Sequence, residues 1–140
     1  MRQRLSLVTL GVHDKERARR FYADMGWSEG TDGADGAPIF FQSGDMVVAL
    51  WERDSLAEDS CVADSGGWGG ISLAHNVGSR AEVDEVIEQA RGAGARVARE
   101  PAATFWGGYN AVFLDPDGHP WEIAHNPGWP LTADGGVRLS

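Results

Sequence analysis

One order of elements, a strand, a helix and then three strands, can be read twice along this chain, and that repetition constrains the fold more than any other feature. In the first half Leu5 to Val12 reads as a strand. Asp14 caps a helix over Lys15 to Met25, whose apolar positions Ala18, Phe21, Tyr22 and Met25 keep helical spacing. Gly26 ends that helix, Trp27 to Glu29 forms a short strand, and Ile39 to Gln42 pairs with Met46 to Trp51 across Ser43-Gly44-Asp45. In the second half Ile71 to Val77 is a strand. Ser79-Arg80-Ala81-Glu82 is a capping box that opens a helix with the buried stripe Val83, Val86, Ile87 and Ala90. Gly92 and Gly94 stop it, and strands follow at Arg96 to Arg99, Tyr109 to Leu114 and Trp121 to His125. The expected class is α+β, with two βαβββ modules over residues 4–53 and 70–127, a linker over 54–69 and a tail over 128–140. The matched strand positions Leu7 and Ser72 lie 65 residues apart.

Within the second module, Asp115-Pro116-Asp117-Gly118-His119-Pro120-Trp121-Glu122-Ile123 carries the most chemistry. Aspartate, proline and glycine there specify a tight turn, and the alternating run after it presents Glu122 on one face of a strand. A carboxylate so placed serves a metal or a proton transfer only if it has partners. His75 and His125 stand three residues beyond Ser72 and Glu122, an odd spacing that turns them to the opposite, helix-covered face. His13 ends the first strand, and His119 lies within the turn.

Composition narrows the function classes. Lys and Arg total 12 against 21 Asp and Glu, a net charge of -9, so a nucleic-acid backbone would be repelled. The apolar runs are strand-sized and the N-terminus has no apolar leader core, so neither a membrane nor secretion is expected, and the location is read as cytoplasmic. Cys61, the single cysteine, rules out an internal disulfide and a CxxC knuckle. Ser65-Gly66-Gly67-Trp68-Gly69-Gly70 lacks the lysine and the strand-to-helix context of a phosphate loop. Asp32-Gly33-Ala34-Asp35-Gly36 has too few oxygens for a calcium loop and reads as a solvated turn.

Leu10-Gly11-Val12-His13-Asp14 with Phe21-Tyr22 and Gly26-Trp27 in one module, and the Asp115 to Glu122 run closing the other, resemble the vicinal oxygen chelate superfamily. That superfamily includes glyoxalase I, extradiol dioxygenases, fosfomycin-modifying enzymes and bleomycin-resistance proteins. The resemblance covers about residues 4 to 127. It implies a cupped mixed sheet with helices on its outer face, and in the enzymes a divalent metal held inside the cup. By position the metal-facing residues are Leu7, Ser72 and Glu122, with Ala49 as a fourth, and only Glu122 can ligate. A lone carboxylate is too few donors for a divalent cation, so no metal or other cofactor is expected, although one at Glu122 is not excluded by residue type.

The resemblance also places the aromatic segments around the cup, where Trp51, Trp68, Phe105, Trp106, Tyr109 and Trp121 would line it beside Leu7, Thr9, Ala49, Ser72 and Glu122, with core packing the alternative for Trp51 and Trp121. The glycines of Thr104-Phe105-Trp106-Gly107-Gly108-Tyr109 let the chain bend beneath its aromatics. In a metal-free cup Glu122 needs a hydrogen-bonding partner, for which Thr9 and Ser72 are candidates. Two functions follow. One is a homodimeric, metal-independent binding protein of the bleomycin-resistance type, enclosing a flat small molecule. The other is an enzyme of the same fold, a lyase, isomerase or dioxygenase, with Glu122 as its catalytic base or metal ligand. A purely structural or partner-binding module is a third, weaker reading.

Overall fold

The computed structural model describes residues 1, 3, 5–31, 33–69 and 71–137; Asp32, Gly70 and the end of the tail, named in the sequence reading, lie outside it. The chain divides into two compact units, Met1–Gly67 and Trp68–Ser140.

The first unit opens with β1 (Leu7–Val12) and α1 (Lys15–Asp24), followed by β2 (Ile39–Ser43) and β3 (Met46–Glu52) in the sheet order β1-β3-β2. Asp14 caps α1 as its side chain suggests, accepting from Arg17 N at 2.9 Å. Ala18, Phe21 and Tyr22 are buried with Leu10, Val12, Ile39, Phe41, Val48 and Leu50. β1 lies parallel to β3 and β2 antiparallel to it, turning at Gly44 with φ 58. The short strand expected at Trp27 to Glu29 is a single bridge, Glu29 to Phe41.

The loop read as a solvated turn is tied down. Lys15 Nζ donates to the carbonyls of Gly33 (3.0 Å) and Ala37 (2.9 Å) and pairs with Glu52 at 3.1 Å, while Trp51 Nε1 donates to Gly36 at 2.9 Å. Within it, Ala34–Gly36 makes one 3-10 turn. A second difference is α2 (Arg53–Asp59), a helix that from residue 54 on lies inside the stretch read as linker. It packs on β1 and β3, and a Cβ on Gly11 would approach Arg53 Cγ to 3.2 Å, so the glycine admits the helix there.

The second unit repeats the plan. β4 (Leu73–Asn76), α3 (Arg80–Gly92), β5 (Arg96–Ala103), β6 (Tyr109–Leu114) and β7 (Pro120–His125) form a sheet ordered β4-β7-β6-β5. As in the first unit, the last strand lies parallel to the first. The Glu29 bridge on β2 takes the place that β5 takes beside β6. Ser79 Oγ accepts from Glu82 N at 3.2 Å and Glu82 takes the Gly78 N–H at 3.1 Å, a capping box displaced by one residue at its carboxylate end. Val83, Ile87 and Ala90 are buried on α3, which packs against β5, β6 and β7. Val86 is only half-buried. The tail adds one bridge, Leu131 to Val137. No helix among the described residues is long and apolar enough to cross a membrane.

Beyond α2, Arg53 holds Asp64 through Nε (2.5 Å) and Nη2 (2.8 Å), and the Gly66 N–H adds a third hydrogen bond at 2.8 Å. The guanidinium, then the amide, lower the Asp64 carboxyl to about 2. Because its folded pKa is depressed, the tether is fully present above the ordinary value of 3.8 and is lost as pH falls through about 2. A carboxyl-detected NMR titration is expected to place Asp64 near 2, and Arg53→Ala to return it toward 3.8. An unchanged midpoint in the variant would contradict the assignment.

Candidate functional site

The turn before β7 sets the register that positions Glu122. Asp115, only 4% exposed, accepts from the backbone N–H groups of Asp117 and His119 at 2.9 Å each, and its other oxygen lies 2.7 Å from His119 Nδ1. Gly118, at φ 87, supplies the left-handed residue that the turn requires. So closed, the turn pairs Leu114 with Pro120, Val112 with Glu122 and Asn110 with Ala124.

Directly paired residues share a face and neighbours along a strand alternate. Asn110, Val112, Glu122, Ala124, Ala74, Ala102 and Arg99 therefore lie on one face of this sheet, with Tyr109, Ala111, Phe113, Trp121, Ile123 and His125 on the other. The second face is the one α3 covers: Tyr109 Oη donates to Asp84 of that helix at 2.9 Å, and the Arg80 guanidinium lies 5.4 Å from the Tyr109 ring centre. Asp84 foremost raises the Tyr109 phenol.

On the first face, Asn110 Nδ2 donates to Glu122 Oε1 at 2.5 Å. The two are diagonal neighbours across β6 and β7, close enough for side chains of this length. Asn110 is 8% exposed and Glu122 half-buried. Among the described residues Glu122 Oε2 has no hydrogen-bonding partner. The unit thus presents one carboxylate oxygen fixed by an amide and the other open, between Val112 on one side and Ala74 on the other.

The other expected site residues separate. In the first unit Leu7, Thr9, Ala49 and Trp51 share a face, as the strand periods imply, with Leu7 exposed and Thr9 and Trp51 half-buried. Ala49 is fully buried, so it offers no surface to a ligand. In the second unit Ser72 lies one residue ahead of β4, and its hydroxyl faces the carbonyls of Leu73 (3.4 Å) and Pro120 (3.5 Å) rather than Glu122. Trp68 is exposed, its indole N–H donating to Ile71 at 2.9 Å. Tyr109 departs from the expectation: alternation from Asn110 turns it to the α3 face, away from Glu122.

Phe105 and Trp106 occupy the hairpin between β5 and β6. Thr104 N donates to Gly108 O at 3.0 Å and Gly108 N to Thr104 Oγ1 at 2.9 Å. Phe105 is fully exposed at the tip. Trp106 lies over Gly108, where a Cβ would come within 1.8 Å of the indole ring.

Both strand histidines take the face opposite Glu122, His75 paired with Ile123 and His125 next along β7. His125 Nδ1 is 3.3 Å from the Val77 carbonyl. His75 is exposed at the sheet edge, yet the surrounding chain withdraws enough water to lower its imidazole, against a raising pull from Glu82. Asn110 is the site residue that sequence reasoning missed. Its signal was one amide in an otherwise apolar strand, Tyr-Asn-Ala-Val-Phe-Leu.

The profile of the Glyoxalase/Bleomycin resistance protein/Dioxygenase superfamily matches residues 4–123. The chain belongs to that superfamily. A glyoxalase-related enzyme from Fulvimarina pelagi is similar at 39% identity, covering 99% of each chain with a TM-score of 0.91. A hypothetical protein from S. aureus is 25% identical over 90% of this chain and 95% of its own, with a TM-score of 0.79. A lactoylglutathione lyase from Agrobacterium tumefaciens, 22% identical with 89% and 95% covered and a TM-score of 0.67, shares the fold. No curated protein matches.

The superfamily's enzymes imply a divalent metal, and the residues here do not fit one. Leu7 and Ala49 carry no donor, and Glu122 Oε1 already faces an amide N–H that a cation would have to displace. Among the described residues no three His, Cys, Asp or Glu side chains converge on a metal position.

Because the indole rests on the Gly108 backbone, Gly108→Ala is expected to expel it and leave the sheet intact. A red-shifted tryptophan emission with an unchanged far-UV dichroism spectrum is the expected readout. An unshifted spectrum would show that Trp106 does not rest there.

Proposed function

We propose that this superfamily member is a metal-independent binding protein that encloses a flat small molecule, with Glu122 as its polar anchor. The observation that carries this reading is the Asn110 to Glu122 hydrogen bond, which fixes one carboxylate oxygen and leaves the other open on the face that α3 does not cover. The absence of donors at Leu7 and Ala49 argues in the same direction. A ligand of this kind calls for a concave, largely apolar site with a few polar groups. Trp68, Ser72, Phe105 and Trp106 are the lining proposed within the same unit as Glu122, Leu7, Thr9 and Trp51 are the ligand-facing residues proposed for the first unit by itself, and pairing of two chains is part of the reading.

Tryptophan quenching against a panel of planar aromatic natural products is expected to give saturable binding, with a sedimenting mass twice that of the 15.1 kDa chain. No binding across the panel at high micromolar concentration would defeat the reading, and a monomer alone would remove the pairing.

A second reading, an enzyme with Glu122 as general base, is favoured by one observation: the 39% identical relative from Fulvimarina pelagi is described as an enzyme. Asn110 would then orient the carboxylate that accepts a substrate proton. Under this reading Glu122→Ala keeps ligand affinity and loses turnover. Stoichiometric Zn, Ni, Mn or Fe in elemental analysis of the purified protein would instead overturn the metal-free premise.

A further inference from the structure

We propose that the ligand of this face is an organic cation, a flat apolar body carrying a protonated N–H group that donates to Glu122 Oε2, and that Asn110 is the positioning residue that leaves that oxygen available. The proposal deepens the binding reading above and rests on it. Asn110 donates a hydrogen bond to Oε1 at 2.5 Å but brings no charge. The hydrogen bond therefore commits one carboxylate oxygen without offering it a counter-charge.

A ligand that covers Glu122 removes its water. A neutral ligand would leave an uncompensated carboxylate in an apolar contact, at a cost that a single neutral hydrogen bond does not offset. A cation placed on Oε2 supplies both the charge and the missing donor. With Oε1 taken, the contact is to a single oxygen, which suits one N–H donor better than a metal seeking several oxygens.

The floor beside the carboxylate agrees with a flat body. Val112 and Ala74 pair with Glu122 on its two sides, and Ala124 and Ala102 pair with Asn110. Ala124 is buried, but Ala74 and Ala102 are exposed single methyl groups, so a ring can lie close to the strands at those two positions. Arg99, paired with Val112, and Arg96, paired with Leu114, are one strand further from Glu122 on the same face, and no ion pair joins either of them to it among the described residues. Glu122 is therefore not neutralised from within its own sheet.

The test uses three probes of one shape: benzamidine (cationic), benzamide (neutral) and benzoate (anionic). They are titrated into the full chain and followed by the side-chain amide resonances of Asn110 and by calorimetry. Benzamidine is expected to bind and to shift the Asn110 resonances, benzamide to bind about tenfold or more weakly, and benzoate not to bind. Glu122→Gln keeps the size of the side chain and an acceptor for Asn110, so its fold is retained. It is expected to abolish the preference for benzamidine. Equal affinity for benzamidine and benzamide, or a preference that survives in Glu122→Gln, would overturn the cation assignment and leave the binding reading standing. Failure of benzamidine to bind also overturns it. The binding reading itself falls only with the planar panel.

Discussion

Each module returns its last strand to lie parallel to its first, and the rest of the structure depends on that pairing. β1 takes β3 and β4 takes β7, while the intervening strand, β2 or β6, adds antiparallel to the far edge of the last one. A strand-to-parallel-strand return needs a crossover, and α1 and α3 provide it. Each helix then covers one face of its sheet, which leaves the alternate residues of every strand on the other. A slip of one residue in any pairing would exchange the two sets, so register decides function here before any side chain does.

In the second unit that register is pinned at one end by a buried carboxylate. Asp115 takes two backbone N–H groups and a histidine ring nitrogen, and so specifies a turn that joins Leu114 to Pro120. Everything downstream follows by alternation. Glu122 falls on the face opposite α3, Asn110 becomes its diagonal neighbour, and Trp121 goes to the α3 face to stack on Phe113 at 6.3 Å. The run of residues that carried the superfamily resemblance therefore has two physical tasks: its aspartate builds the turn, and its glutamate is what the turn delivers.

Where local chemistry dominates, the elements were legible. The caps at Asp14 and Ser79, the helical stripes behind them and the Gly44 and Gly118 turns all reside in a few adjacent residues, and each formed where its residues imply. Departures came where a tertiary contact overrode a local signal. Arg53–Asp59 has no side-chain cap, and from residue 54 on its sequence reads as linker, yet it forms a helix over β1 and β3 where Gly11 leaves room. β5 runs on from Arg99 to Ala103 past Pro101 because it lies at the edge of its sheet, where irregular pairing with β6 is tolerated. The Gly33 to Ala37 loop looked solvated because its residues are polar or small, yet Lys15 and Trp51 from elsewhere in the unit take up its carbonyls.

For the candidate site the division is similar. By itself the sequence determined the superfamily, the position of Glu122 on one face of the closing strand, the absence of donors at Leu7 and Ala49, and the opposite orientation of His75 and His125. These depend on residue type and on a period of two, which a strand imposes wherever it lies. Only the tertiary structure decided which group satisfies Glu122. Thr9 and Ser72 were reasonable candidates by chemistry, but the partner is Asn110, whose proximity exists only after β6 and β7 pair in the register set by Asp115. Only the fold, too, sent Tyr109 to α3 and buried Ala49. The physical reason is that a hydrogen bond between residues distant in sequence depends on registry between strands, and registry is a property of the assembled sheet rather than of any one segment.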